Sequence, residues 1–130
     1  SKKFIYRFIR QSSYVKIDNK KYNINENLKE FKKIIKKANN LVSSWGGKMY
    51  FVYLPSYTRY ASSIEDKNRL KILKIINELK IELIDMHEEV FKNHKDPLSL
   101  FPYRINNHYN SEGYKLLSDA IFKKIVDNQK

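Results

Sequence analysis

The sequence predicts an α/β domain organised on a parallel sheet. Two short apolar runs carry that reading, Met49 to Leu54 and Ile81 to Ile84, each of a length suited to a buried strand. Between them, the segment from about Ile64 to Lys80 places Leu70, Ile72, Leu73, Ile75, Ile76 and Leu79 on a wide apolar face, as a helix packed on a sheet does. A strand, helix, strand order is a right-handed crossover unit, so the two runs are expected to be adjacent and parallel.

The remaining elements follow in chain order. In residues 1 to 26, Phe4, Ile5, Phe8 and Ile9 suggest a short amphipathic helix. Tyr14 to Ile17 and Lys21 to Ile24 alternate around Asp18-Asn19-Lys20 as a small hairpin would. From about Asn27 to Trp45, Phe31, Ile34, Ile35, Ala38, Leu41, Val42 and Trp45 recur at helical spacing and form a core-facing stripe. Gly46-Gly47 supplies the backbone freedom for a tight stop. Pro55 ends the first strand and Ser56 to Ser63 reads as a loop. After the second strand come a helical stretch from Met86 to Lys92 and a loop with Asp96-Pro97 and Phe101-Pro102. A last helix runs from Ser111 to about Asp127.

Composition bounds what the domain can do. At 130 residues the chain is one compact domain, and with no cysteine it has neither disulfides, nor Cys-zinc sites, nor a thiol nucleophile. A formal charge of +12 raises nucleic acid or an anionic surface as a partner. The charges are interleaved, however: Lys32, Lys33, Lys36 and Lys37 stand between the apolar positions of their helix, as a solvated face does. The basicity is therefore expected to be spread, with no specific nucleic-acid binding. The histidines His87 and His94 are seven apart, without the His-Glu-x-x-His spacing, so no metal is expected. No glycine-rich loop is present to cradle a nucleotide, and no cofactor is expected.

The residues suited to chemistry lie where the sheet should present its ligand edge. His108 stands just before a helix with a strong start signal, in Asn106-Asn107-His108-Tyr109-Asn110-Ser111-Glu112-Gly113. Asn110 can cap that helix and Glu112 complements its dipole. An imidazole on such a loop is held by a rigid element yet can face a cleft, as a general base must. Ser56, Tyr57 and Arg59 follow the first strand and, with Asn110, are candidates to line that cleft. Asp85, at the end of the second strand, is a candidate to orient the histidine or, equally, a cap for the helical stretch near His87. The aromatics of Phe101-Pro102-Tyr103 are expected to form a plug under the histidine loop.

The segment around His108 resembles the last sequence block of the SGNH hydrolases. That block reads approximately Asp-x-x-His or Asp-x-His, then Asn, a Gly three residues later and a C-terminal helix. His108, Asn110 and Gly113 match it, whereas Ile105 and Asn106 stand at the carboxylate positions. Lys48 to Ser56 and Ile81 to Asp85 look like the family's fourth and fifth strands. The resemblance implies a three-layer α/β/α fold with a parallel sheet, flavodoxin-like in outline, and a serine esterase or carbohydrate O-acyltransferase whose substrate is an ester or acylated carbohydrate. It also implies that His108 takes the serine proton, with Asn106, a backbone carbonyl or a residue distant in sequence orienting the ring.

No Gly-Asp-Ser occurs in the chain, and its three glycines are Gly46, Gly47 and Gly113. The expectation is therefore an incomplete, C-terminal part of such a domain, inactive alone, with the nucleophile upstream in the intact protein. A sheet lacking its early strands would have an apolar edge, to be covered by residues 1 to 26, by the upstream chain or by dimerising. The alternative function is a noncatalytic SGNH-like scaffold or a basic interaction module. The resemblance alone allows an extracytoplasmic or membrane-anchored setting.

Overall fold

A computed structural model describes residues 23–62 and 67–128. The amphipathic segment and most of the hairpin read at the start of the chain lie outside the described residues. The end of that hairpin is corrected, because Ile24 is helical.

Helix α1 spans Ile24–Ser44, opened by Asn23, whose side chain accepts from the Asn25 amide at 3.1 Å. It starts three residues before the expected Asn27 because the capping asparagine, not the first apolar residue, fixes a helix start. Its end is set by Gly46 at φ 78°, with Gly46 N–H donating to Ser43 O and Gly47 N–H to Val42 O, both at 3.0 Å. That pair of reversed bonds satisfies the last carbonyls and turns the chain toward the sheet.

Strand β1 covers Tyr50–Tyr53 and strand β2 covers Glu82–Asp85. They pair in parallel, with Tyr50 opposite Glu82 and Tyr53 opposite Asp85. Helix α2, Tyr57–Ala61, lies where a loop was expected. Five residues are too few to show a period, but Tyr57 and Tyr60, three apart, both pack on the core, and that burial holds the turn. Helix α3, Lys67–Glu78, is the crossover helix. The face it buries differs from the expected one by a residue: Leu70 is exposed and Arg69 buried, since Asp85 draws the guanidinium inward.

Beyond β2 the helical stretch is a π-turn, His87–Phe91, closed by Lys92 N–H donating to His87 O at 2.8 Å. Two 3₁₀ turns, Pro97–Leu100 and Pro102–Arg104, shape the loop that precedes helix α4, Ser111–Asp127. Tyr103 and Arg104 both have left-handed backbone, at φ 53° and 56°. A bidentate Arg104–Asp96 pair ties that turn together.

The architecture is mixed α and β around a small two-stranded parallel sheet. Side chains of the strands alternate between two packings. Tyr50, Val52 and Ile84 join Met86, Phe91, Leu100, Phe101 and Leu117 in the main core. Phe51 instead meets Phe31 of α1 at 5.9 Å, and Tyr53 lies under the Arg69 guanidinium of α3. Helix α1 has no fully buried residue, and Ile34, Leu41 and Trp45 remain exposed. Two strands are too narrow to cover the stripe of a 21-residue helix, so its apolar residues Leu28, Phe31, Ile35, Ala38 and Val42 are only half-buried.

Candidate functional site

Pro55 leaves β1 and delivers Ser56 and Tyr57 to the C-terminal edge of the sheet, the edge at which parallel sheets present ligands. The loop from Ile105 to Asn110 returns to that edge immediately before α4. Together they form a shallow groove of about 230 Å³, lined by Leu54, Pro55, Ser56, Tyr57, Phe101, Asn106, Asn107, His108, Tyr109 and Tyr114. His108 is exposed in it. Its backbone N–H donates to Asn107 Oδ1 at 2.8 Å, while neither ring nitrogen is bonded by the described residues.

The helix behind the histidine is anchored as its sequence implied. Asn110 Oδ1 accepts from the Gly113 amide at 2.9 Å, and Asn110 Nδ2 donates to Ser99 O at 2.7 Å. The Asn110 amide itself donates to Leu100 O at 2.9 Å. One side chain therefore caps α4 and fastens it to the preceding 3₁₀ turn. Tyr109 donates its hydroxyl to the Pro55 carbonyl. Burial first, then Tyr114 and Tyr53, pushes the Tyr109 phenol far above its usual range, so it stays a donor.

The other candidates separate into two groups. Ser56, Tyr57 and Asn106 share the groove with His108, whereas Asn110, expected to line it, does not, because its side chain is taken up by Gly113 and Ser99. Ser56 Oγ lies 2.9 Å from Thr58 Oγ1, and Tyr57 donates to the Arg104 carbonyl at 2.9 Å with its ring edge-on to Phe101. Asn106 makes no hydrogen bond to the imidazole. Asp85 and Arg59 belong to a second cluster, at the end of β2. There Asp85 pairs with the buried Arg69, and its Oδ1 accepts from the His87 amide at 3.1 Å, so it caps the π-turn. Both its oxygens are used, and it does not line the groove. Arg59 reaches His87 Nε2 at 3.3 Å, and Tyr60 reaches His87 Nδ1 at 3.0 Å.

Burial, then Arg59 and Arg69, lowers the His87 pKa below its ordinary value. Burial raises the Tyr60 phenol. Sequence reasoning missed this cluster. The signal for it was Arg69, which shares a helical face with Ile72, Leu73 and Ile76.

No family model, curated protein or solved structure matches this chain. What it can do is therefore argued from geometry. Larger grooves exist, about 610 Å³ around Lys74 to Leu83 and about 570 Å³ between the π-turn and α4. The first holds no histidine or hydroxyl. The second holds His94, but the Nδ1 of that ring accepts from the Asp96 amide at 3.1 Å. Among the described residues no three His, Asp or Glu side chains gather as metal ligands would, and no helix is long and apolar enough to cross a membrane. The small groove is where a basic imidazole, a hydroxyl and primary amides meet.

Proposed function

We propose that this chain is the C-terminal part of a three-layer α/β/α domain of SGNH type, and that His108 is the general base of an ester hydrolase or O-acyltransferase. The observation that carries this reading is the exposed His108 imidazole beside Pro55-Ser56-Tyr57 at the C-terminal end of β1, on a loop fixed by the Asn110 cap. Helices meeting alternate side chains of the strands support the layered arrangement.

In the proposed reaction a serine supplied from outside these residues attacks the ester carbonyl, and its proton passes to an imidazole nitrogen of His108. Collapse of the tetrahedral intermediate returns that proton to the departing alcohol and leaves an acyl-serine. Water or an acceptor hydroxyl then gives its proton to His108 and takes the acyl group, and His108 returns that proton to the departing serine oxygen. Ser56, Tyr57 and the Asn106 amide would contact the substrate, an ester or acylated carbohydrate.

The test is turnover of p-nitrophenyl acetate by the intact protein, with a fluorophosphonate to trap the nucleophile. His108→Ala should lower kcat by roughly a thousandfold or more and leave the unfolding midpoint in place, because only binding and oxyanion contacts survive. Unchanged turnover in that variant ends the assignment. Intact protein that neither turns over esters nor takes the trap would favour the noncatalytic scaffold.

A further inference from the structure

In a serine-histidine-carboxylate site the carboxylate bonds one ring nitrogen of the base and fixes both tautomer and orientation. Here Ile105 and Asn106 hold the chain positions for that carboxylate, and Asp85 is engaged by Arg69 and the His87 amide. No described residue bonds the ring. What is fixed is the backbone on both sides of it. Asn107 holds the His108 amide, Asn110 ties the chain to Ser99 and Leu100, and Tyr109 reaches under the loop to Pro55.

Tyr109 is the member of this set that refers the loop to the sheet. Its ring packs against Phe91 at 5.3 Å, Phe101 at 5.1 Å and Tyr114 at 5.7 Å. A Cβ on Gly113 would lie 3.0 Å from Tyr109 Cβ and 2.9 Å from Leu100 O, so the start of α4 also rests on this residue. The bonded partner, the Pro55 carbonyl, lies beyond the last strand pair, Tyr53 with Asp85, and directly precedes Ser56. We infer that Tyr109 is a positioning residue for His108, locking the base to the C-terminal end of β1 through the Pro55 carbonyl where no carboxylate of the described residues holds the ring. The inference rests on the proposed role of His108 as base.

Three variants of the intact protein test it by ester turnover. Tyr109→Phe keeps the ring packing and removes only the hydroxyl. Its kcat should fall by about ten- to a hundredfold, the loss expected when a base shifts by a fraction of an ångström to an ångström. KM should stay within about twofold, and the apparent pKa of the pH–rate profile should not move, since the group that titrates is unchanged. Ile76→Val, on the opposite packing of the sheet, removes a buried methyl and serves as the control for lost stability; its kcat should match the parent.

Unchanged kcat in Tyr109→Phe, beside a His108→Ala that has lost turnover, overturns the positioning role and leaves the base assignment standing. An equal loss in Ile76→Val also overturns it, because stability and not position would then set the rate. Turnover that survives in His108→Ala overturns both.

Discussion

Asn110 makes two bonds with one side chain, and their separate contributions can be measured. Its Oδ1 caps α4 through the Gly113 amide at 2.9 Å, and its Nδ2 donates to Ser99 O at 2.7 Å. Asn110→Ala removes both. A lost cap costs about 1 kcal/mol, and a lost amide-to-carbonyl bond costs about 1 kcal/mol more. The variant should therefore unfold about 2 kcal/mol more easily. With a urea dependence of roughly 1–3 kcal/mol/M, the midpoint should fall by about 1 M with no change in slope. Asn110→Ser retains an oxygen for the cap and loses the Nδ2 amide that reaches Ser99 O, so it should show about half that shift. Equilibrium urea unfolding followed by circular dichroism reads both. Equal midpoints for the alanine and serine variants would refute the reasoning, because the cap would then contribute nothing. A loss below about 0.5 kcal/mol in the alanine variant would refute it too.

The second cluster gives two further predictions. Asp85→Ala leaves the Arg69 guanidinium, 8% exposed, with Glu88 at 3.7 Å as its remaining ion partner among the described residues, and should cost about 3 kcal/mol. Arg69→Met combined with Asp85→Ala should cost less than Asp85→Ala alone; additive losses in urea unfolding would show that the pair is not coupled. His87 has its pKa lowered by burial and by Arg59 and Arg69, so between that value and about 6.5 the unfolded chain binds more protons than the folded one. Its contribution to stability is thus intact above about pH 6.5 and is lost as pH falls through the folded value. Urea midpoints measured across this range should slope upward with pH and flatten in His87→Gln; an identical slope in the variant would remove His87 as the cause.

The parts of this fold legible in the sequence are those fixed by local chemistry. Met49 to Leu54 and Ile81 to Ile84 read as strands because four to six largely apolar residues bounded by glycine, proline or a polar turn leave few alternatives. Their parallel pairing followed from the helix between them. The observed strands are Tyr50–Tyr53 and Glu82–Asp85; Ile81 is withheld because its amide donates to Ile76 O to close α3. Asn110 was legible as a cap since the start of a helix needs acceptors at its free amides.

What could not be read depends on contacts distant in the chain. Arg69 is buried rather than Leu70 because of a carboxylate 16 residues later. Helix α2 forms because Tyr57 and Tyr60 find the core, and the Arg104 carbonyl that Tyr57 meets is 47 residues away. The groove itself exists because Tyr109 finds the carbonyl of Pro55, 54 residues earlier.

The two clusters divide the C-terminal edge of the sheet by charge. At the end of β2, Asp85, Arg69, Glu88, Arg59 and His87 are engaged with one another. At the end of β1, the groove around His108 is lined by apolar, hydroxyl and amide groups, with no Lys, Arg, Asp or Glu, in a chain that carries 26 basic and 14 acidic residues. Phe91 stands between them, stacked on Tyr60 at 5.0 Å and against Tyr109 at 5.3 Å, so the rigid charged cluster buttresses the ring that anchors the histidine loop. The energetic consequence is a separation of roles. Ion pairs that would compete for a substrate are satisfied internally, and among the residues lining the groove His108 supplies an imidazole while none supplies a carboxylate. An imidazolium formed there during acyl transfer would meet no carboxylate from the described residues. Its productive geometry would then depend on the loop being held, which is the task the Tyr109 hydroxyl and the Asn110 cap perform.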